Sequence, residues 1–263
     1  MNEYLAFAQN VAKEAGEIML KYFQLGGVKQ KTKSDQSIVT IADEEINALV
    51  IKRVEETFPN LSVFGEEGSV NKSSKLIWAC DPIDGTVPYA KGVPFCAFSL
   101  ALVDDGTPVV GVVYDPFMKR LYSAVKGEGA FVNGKKISAS KLPLSYDATV
   151  NIEWWPEADY DLDTAMHKLT METQSYVLHG GSVVNAGALV AAGQYEACVF
   201  TGTKGKNVDI AALKVIVEEA GGKVTDLFGN DQRYDGDIKG AIISNGIVHQ
   251  DILKYTKGLA MKP

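Results

Sequence analysis

Apolar residues recur at helical spacing through the first 60 residues. One series predicts a helix over residues 4–23, and a second series, over residues 46–58, predicts a helix that begins near Thr40. Asp43 stands three positions after Thr40 and completes a variant of the capping box. The basic and polar stretch between the two helices, residues 29–37, predicts a loop.

After residue 60 the pattern changes to short apolar segments rich in β-branched and aromatic residues, which is typical of strands. Turn-forming pairs at 105–106 and 115–116 separate these segments, and the Asn133-Gly134 pair predicts a tight hairpin turn. Together the segments predict an antiparallel, meander-like sheet covered by the two leading helices. The predicted strands cover residues 76–80, 96–103, 109–115 and 120–125.

From about residue 142 strands and helices alternate, which predicts an α/β half with a mixed sheet. No linker rich in proline, glycine or serine is present, so residues 1–141 and 142–263 are expected to form two halves that share an interface. The expected fold is therefore α+β to α/β, with an antiparallel sheet in the N-terminal half. The C-terminal strands are predicted near 148–152, 175–178, 195–200, 223–226 and 240–244, and the helices near 159–172, 182–193, 209–220 and 247–257.

The composition is that of an ordinary globular protein, with 46% hydrophobic and 22% charged residues in a chain of 263. The net charge of −7 argues against a nucleic acid polymer or an anionic membrane as a partner. The sequence has neither a signal-like N-terminus nor an uncharged apolar run of about 18 residues. Its three cysteines (Cys80, Cys96 and Cys198) form no disulfide or zinc motif, so we expect a soluble, cytoplasmic protein with reduced cysteines in its core.

The densest chemical signal is the hexapeptide 81–86, Asp-Pro-Ile-Asp-Gly-Thr, directly after a predicted strand. Asp81 and Asp84 offer two carboxylates, and sites built only from oxygen ligands favour magnesium or manganese over zinc. The N–H groups of Gly85 and Thr86 come where the next helix begins, which favours a bound anion. Cation ligands beside anion donors suit phosphoryl transfer. The alternative is two ordinary turns, Asp-Pro and Asp-Gly.

Three further acidic positions are candidates, and each has a simpler interpretation. Glu66 lies in an acidic turn after a short predicted strand, where acidic residues are usually only solvated. Asp209 stands at the start of the predicted helix 209–220, where aspartate commonly serves as the N-cap. Asp43 needs no role beyond capping the second helix. The histidines lack metal-type spacing and are expected to be structural or exposed: His167, His179 and His249.

Taken together, these motifs resemble the inositol monophosphatase family. The resemblance runs from residues 39–43 through the Gly-Glu-Glu turn 65–67 and the hexapeptide 81–86 to residues 208–212 and 219–222, so it covers almost the whole chain. That family belongs to a lithium-sensitive, metal-dependent phosphatase superfamily. The resemblance implies a layered α/β/α/β/α sandwich.

The resemblance also implies a set of metal ligands. A first ion would be held by Glu66, Asp81 and the carbonyl oxygen of Ile83. A second would be held by Asp81, Asp84 and Asp209, and Glu66 would help to hold a third, looser ion. Two to three Mg²⁺ ions are therefore expected, with Mn²⁺ as an alternative metal and Li⁺ as an inhibitor.

The remaining family positions concern the phosphate, the attacking water and the leaving alcohol. The backbone N–H groups of Gly85 and Thr86 would bind the phosphate. The Thr86 hydroxyl, paired with Asp43, would orient the attacking water beside Glu66. The alcohol side of the substrate would face two further residues, Gly181 and Ser182.

The implied activity is hydrolysis of a small phosphate monoester by metal-activated water, without a phosphoenzyme, in a homodimeric phosphoric monoester hydrolase. The alternatives among enzymes are fructose-1,6-bisphosphatase, histidinol-phosphatase and phosphoadenosine-phosphate phosphatase activity. A different class of protein is also open, a catalytically silent regulator that binds a metal or a phosphometabolite. The intact acidic positions weigh against this last alternative.

Three departures from the family pattern bear on the substrate and the packing. Val208 replaces the tryptophan that usually precedes the C-terminal aspartate, and Val-Pro-Tyr at 87–89 replaces Thr-Asn-Phe. The segment 197–205 lacks the acidic residue with which inositol-type members bind substrate hydroxyls, and it carries Lys204, with Lys206 just beyond. We hypothesise that a more anionic sugar phosphate or a nucleotide is preferred over inositol phosphate.

Overall fold

The N-terminal part of the chain folds into a pair of helices, α1 (Asn2–Tyr22) and α2 (Ile41–Thr57), as the apolar spacing predicts. Thr40 caps α2 and forms the predicted capping box with Asp43. The computed structural model describes four stretches of the chain: residues 1–33, 37–154, 158–201 and 206–259.

A two-stranded antiparallel ladder joins the two helices. Strand β1 (Gln30–Thr32) pairs with β2 (Ile38–Thr40). This corrects the prediction of a loop over 29–37, of which residues 34–36 lie outside the described stretches. The residues of β1 are all exposed, so no alternation of apolar and polar positions marks this strand in the sequence.

A seven-stranded sheet follows, in the order β3 to β9, and α1 and α2 pack on one face of it. Strands β4 to β9 form the predicted antiparallel meander. The last turn is the predicted Asn133-Gly134 hairpin, with φ of 49° and 75°. The elements are β3 (Ser62–Gly65), β4 (Leu76–Asp84), a short helix α3 (Thr86–Ala90), β5 (Ala97–Asp104), β6 (Thr107–Asp115), β7 (Arg120–Val125), β8 (Gly129–Val132) and β9 (Lys135–Lys136).

One strand pair in this sheet is parallel, which the predicted meander did not include. β3 runs parallel to β4, with Gly65 opposite Cys80. The connection 66–75 first folds back on β3, where Val63 and Val70 exchange two backbone hydrogen bonds of 2.8 Å. The chain then re-enters the sheet in the direction of β3. Parallel pairing brings the carboxyl ends of β3 and β4 to the same edge of the sheet.

The C-terminal part alternates strands and helices as predicted and builds a mixed five-stranded sheet, in the order β11-β10-β12-β14-β13. Strand β10 is parallel to β11 and β12, whereas β14 is antiparallel to β12 and β13. The elements are β10 (Thr149–Glu153), α4 (Leu162–Thr173), β11 (Tyr176–Leu178), α5 (Val183–Ala191), β12 (Ala197–Thr201), α6 (Asn207–Glu219), β13 (Lys223–Thr225), β14 (Gly240–Ser244) and α7 (His249–Thr256).

Helices α5 and α6 fill the layer between the two sheets, and α4 and α7 cover the outer face of the five-stranded sheet. This arrangement confirms the predicted α/β/α/β/α sandwich. α6 is buried over most of its circumference because it packs against strands of both sheets. Val208 lies in this core, at the position of the missing tryptophan. The boundary between halves at 141/142 stays a prediction.

The cysteines and the helices bear on two further expectations from the sequence. All three cysteines are buried and free, as expected of core residues. In the part of the chain that the structure describes, no helix combines the length and the apolar character needed to cross a bilayer.

Candidate metal and phosphate site

Two acidic side chains meet at the shared edge of β3 and β4. Asp81 lies in β4 and is buried, with 1% of its surface exposed. Glu66 follows β3 directly, and its N–H donates to the carbonyl oxygen of Cys80 over 3.1 Å. The parallel register of the two strands therefore sets Glu66 beside Asp81.

Helix α6 delivers a third carboxylate from the C-terminal half. Asp209 is the third residue of this helix and Lys206 is its N-cap, so the interpretation of Asp209 as the N-cap is wrong. One oxygen from each of Glu66, Asp81 and Asp209 lies within 4.8 Å of the other two. Asp209 Oδ1 is buried without a hydrogen-bond partner among the described residues, which is costly unless a cation meets it. This all-oxygen donor set fits a hard divalent cation such as Mg²⁺.

Lys206 brings a positive charge into this cluster. Its Nζ lies 3.2 Å from Glu66 Oε1 and 3.6 Å from Asp209 Oδ2. The sequence indicates Lys206 only as an added positive charge near the substrate. In the structure its ammonium group forms ion pairs with two predicted metal ligands, Glu66 and Asp209. Burial opposes its charge, yet the attraction of Asp209 and Glu66 raises the pKa of Lys206 well above its usual value. Its place three residues before Asp209, one helical turn away, is the signal that indicates this contact.

The crowded carboxyls have strongly perturbed pKa values. Burial, followed by repulsion from Glu66 and Asp209, raises the pKa of Asp81 well above its usual range. Burial also raises the pKa of Asp209 to about 6, against the attraction of Lys206. Burial acts in the same direction on Glu66, but the attraction of Lys206 and Lys33 outweighs it and lowers the pKa of Glu66. A bound divalent cation relieves such repulsion, so the cluster is electrostatically suited to hold one.

Asp84, at the end of β4, lies outside the group of three. Its Oδ2 accepts hydrogen bonds from the hydroxyl of Ser182 and, over 2.8 Å, from the N–H of Val184. Ser182 is also the N-cap of α5, and its Oγ accepts the N–H of Asn185 over 3.1 Å. Burial and the charge of Asp209 raise the pKa of Asp84 well above its usual range, although the two donors oppose the shift. The predicted roles of Asp84 as a ligand and of Ser182 as a substrate contact stay predictions.

Thr86 and Asp43 face each other between the first turns of α3 and α2. Thr86 Oγ1 donates to the carbonyl oxygen of Ile83 over 2.9 Å and lies 3.5 Å from Asp43 Oδ1. The other oxygen of Asp43 accepts the N–H and O–H of Thr40, over 2.9 and 2.5 Å. Asp43 therefore caps α2 with one oxygen and faces Thr86 with the other, so its capping role leaves the second oxygen for chemistry.

Gly85 turns the chain from β4 into α3 in the left-handed region, with φ 86° and ψ 39°. A Cβ added at Gly85 would lie 2.8 Å from the carbonyl oxygen of Phe95 and 3.1 Å from that of Gly181. No side chain fits this space. The segment predicted to bind the phosphate and the segment predicted to face the alcohol are therefore in close contact.

Asp43→Asn is expected to stabilise the metal-free protein at neutral pH. Burial raises the pKa of Asp43 from its usual 3.8 to about 7. Between these two pH values the folded state therefore keeps a proton on Asp43 that the unfolded state has released. Asp43 therefore destabilises the wild type progressively as the pH rises from about 4 to about 7. The measurement is the Tm of both proteins in EDTA across this window, with Glu44→Gln in the same helix as the control. A Tm difference that does not change with pH contradicts this expectation.

Sequence reasoning missed a second group of contacts, around Glu153 at the end of β10. His179 is half-exposed and its Nε2 lies 3.3 Å from Glu153 Oε2, whereas His249 is buried between the hydroxyls of Ser244 and Thr225. Glu153 also accepts backbone N–H groups from the loop before Ser182. A single glutamate at the end of an apolar strand is the signal that could have indicated this role.

The layered fold and its acidic cluster agree with the fold and the oxygen-ligand site that the resemblance implies. The model of the inositol monophosphatase family matches residues 1–259. The chain therefore belongs to this family, which confirms the resemblance and the predicted enzyme class.

Individual relatives match over nearly their full length. The chain is 31% identical over 251 residues to a fructose-1,6-bisphosphatase/inositol-1-monophosphatase of Thermotoga maritima, covering 95% of this chain and 94% of that protein. It is 31% identical over 256 residues to a histidinol-phosphatase of Chlorobaculum parvum, covering 96% of each. Among solved structures, an IMPase of Thermotoga maritima matches with a TM-score of 0.86 at 28% identity, covering 97% of this chain and 96% of that one.

Proposed function

We propose that the protein hydrolyses small phosphate monoesters with two to three Mg²⁺ ions and a water nucleophile, without a phosphoenzyme. The observation that carries the proposal is the convergence of oxygens from Glu66, Asp81 and Asp209 within 4.8 Å. These side chains come from three separate segments of the chain, and Asp209 Oδ1 has no hydrogen-bond partner in the described part of the chain. An arrangement that costs folding free energy in the absence of a cation favours a functional interpretation.

The residues that would hold the ions are Glu66, Asp81, Asp84 and Asp209, with the carbonyl oxygen of Ile83. When bound, Mg²⁺ supplies charge neutralisation at the phosphoryl oxygens and lowers the pKa of a coordinated water molecule. Mn²⁺ suits the same oxygen ligands. Lithium inhibition, a homodimer and a cytoplasmic location are further expectations from the family.

The chain's own residues would orient the water and the phosphate. Thr86 Oγ1 lies between the carbonyl oxygen of Ile83 and Asp43 Oδ1, so it can accept a water proton and pass its own to Asp43. The pKa of Asp43, raised by burial to about 7, allows Oδ1 to take up a proton near neutral pH. Glu66 would lie beside the same water, and the N–H groups of Gly85 and Thr86 would bind the phosphate.

Attack by water is favoured over a side-chain nucleophile. Cys80 is fully buried, and burial raises the pKa of its thiol well above the usual value, so it holds no reactive thiolate at neutral pH. Ser182 is buried, and its hydroxyl donates to Asp84 and accepts the N–H of Asn185 as the N-cap of α5, so this hydroxyl is held in structural hydrogen bonds.

We further propose that the preferred substrate is more anionic than inositol 1-phosphate. Lys206 lies at the acidic cluster and Lys33 lies 2.5 Å from Glu67 in the neighbouring turn, so cationic side chains border the acidic cluster. Lys204, the other lysine of the hypothesis, lies outside the described residues. The relative from Thermotoga maritima carries fructose-1,6-bisphosphatase in its name, which also favours a bisphosphate.

The test is phosphate release from a panel of esters in Mg²⁺ and in EDTA, beside an Asp84→Asn variant. The panel contains inositol 1-phosphate, fructose 1,6-bisphosphate, histidinol phosphate and phosphoadenosine phosphate. We expect magnesium-dependent turnover that the substitution abolishes, with the highest kcat/KM on a substrate that carries an extra phosphate. A clear preference for inositol 1-phosphate contradicts the substrate proposal. Absence of turnover on every ester, with Mg²⁺ bound, favours the regulatory alternative.

A further inference from the structure

Glu153 is a buried carboxylate at the carboxyl end of β10, with 7% of its side chain exposed. Its Oε1 accepts three hydrogen bonds, from the N–H of Gly180 over 3.0 Å, the N–H of Gly181 over 2.7 Å and the side-chain amide of Asn151 over 3.0 Å. Its Oε2 lies 3.3 Å from His179 Nε2. Hydrogen bonds to a charged acceptor are stronger than neutral ones, so this carboxylate fixes two consecutive backbone groups.

The loop that Glu153 holds is also confined on its other side. Gly181 has φ of 86°, which favours glycine. A Cβ at Gly180 would lie 2.4 Å from the ring of Phe95, and one at Gly181 would lie 2.6 Å from the ring of Pro88. Phe95 and Pro88 belong to the segment that follows the phosphate hexapeptide. The loop is therefore packed between Glu153 and the proposed phosphate site.

The residues that follow this loop bind Asp84. The Ser182 hydroxyl and the N–H of Val184 both donate to Asp84 Oδ2. These two donors favour the charged form of a carboxyl whose ionisation burial and Asp209 disfavour. The short segment 180–184 is thus hydrogen-bonded to Glu153 at one end and to a proposed metal ligand at the other.

We propose that Glu153 is a positioning residue that sets the orientation of Asp84 through the loop 180–182. The inference rests on the proposed function, because Asp84 matters to catalysis only if it binds the metal. Partners that orient metal ligands typically affect metal affinity or activity by about 10- to 100-fold. Glu153 is not proposed to touch the reacting atoms, so its effect passes through Asp84.

Glu196 provides a matched control for a purely structural role. It is as buried as Glu153, in the same half of the chain. Its Oε1 accepts the hydroxyl of Ser140 over 2.9 Å and its Oε2 accepts the N–H of Thr149 over 2.6 Å. Glu196 therefore fixes backbone as Glu153 does, but none of these contacts reaches Asp84. Replacing it should lower stability without changing the site.

The experiment compares Glu153→Ala and Glu153→Gln with Glu196→Ala and Glu196→Gln in the full chain. The readouts are kcat and KM for the best ester, Mg²⁺ affinity by calorimetry, and hydrogen exchange of the amides in residues 179–184. We expect Glu153→Ala to lower kcat by about 10- to 100-fold with little change in KM, to weaken Mg²⁺ binding and to speed exchange. Glu153→Gln retains a neutral acceptor and should recover part of each property. The Glu196 variants should lower only Tm.

A Glu153→Ala protein with wild-type kcat, Mg²⁺ affinity and exchange, but a lower Tm, overturns the proposal, since Glu153 then only stabilises the fold. If Glu153→Ala does not fold, Glu153→Gln decides, and wild-type values in all three readouts overturn the proposal. If the wild type hydrolyses no ester, the proposed function fails. Calorimetry and hydrogen exchange still show in that case whether Glu153 controls Asp84.

Discussion

Asp81→Asn is expected to lower kcat for phosphate monoesters by about 10³-fold, because Asp81 is the proposed ligand common to two ions and their charge stabilisation is worth several kcal/mol. Asp81 is buried between Glu66 and Asp209, and one oxygen of each of the three lies within 4.8 Å of the others. An amide in its place keeps the shape but removes one negative charge. Mg²⁺ should therefore bind more weakly as well.

The same substitution should raise the Tm in EDTA. Burial and repulsion from Glu66 and Asp209 raise the pKa of Asp81 well above its usual range, so its charge destabilises the metal-free fold at neutral pH. Asp115→Asn is the control, because Asp115 is also buried but accepts the N–H groups of Phe117 and Met118. That variant should keep its kcat. An Asp81→Asn enzyme within about threefold of the wild-type kcat contradicts the ligand role.

Removal of the metal is expected to lower the Tm by roughly 5–10 °C. A ligand present at about 100 times its Kd stabilises the native state by about 2.7 kcal/mol, and about 1 kcal/mol corresponds to about 2–4 °C for a chain of this size. The physical reason is the repulsion among the three clustered carboxylates, which the cation relieves. The measurement is the Tm in saturating Mg²⁺ and in EDTA.

The variant Lys206→Met shows whether the Tm difference between Mg²⁺ and EDTA arises at the acidic cluster. Lys206 lies 3.2 Å from Glu66 Oε1 and 3.6 Å from Asp209 Oδ2, so it offsets part of the negative charge of the metal-free cluster. Without it the Tm in EDTA should fall further, and the gain in Tm on adding Mg²⁺ should grow. Equal Tm values with and without Mg²⁺, in the wild type and in the variant, contradict a metal site at this cluster.

Much of the fold could be predicted because its elements have clear periodicities. The helical stripe of α1 and the alternation of strands and helices after residue 142 correspond closely to the structure. Strand β1 was missed because its three residues are all exposed. The parallel pairing of β3 with β4 was missed because the relative direction of two strands depends on the path of the connection 66–75, which no local pattern records. That pairing is what sets Glu66 beside Asp81.

The candidate site was predictable in its residue types and less so in its contacts. The hexapeptide 81–86 indicated carboxylates beside an anion site, and Asp81 does lie with Glu66 and Asp209. The contact of Lys206 with this cluster depends on where α6 begins, two residues earlier than the helix predicted from residue 209. The hydrogen bonds from the segment 180–184 to Glu153 and to Asp84 connect residues far apart in sequence. Such contacts follow from the packing of the two sheets rather than from any motif.

The most direct test of the central claim is a crystal structure of the protein grown with Mn²⁺, with an anomalous difference map recorded near the manganese edge. We expect at least one peak between the carboxylates of Glu66, Asp81 and Asp209, with metal–oxygen distances of about 2.0–2.3 Å, and loss of that peak in Asp81→Asn. An empty cluster in an enzyme that hydrolyses phosphate esters in the same Mn²⁺ solution would contradict it.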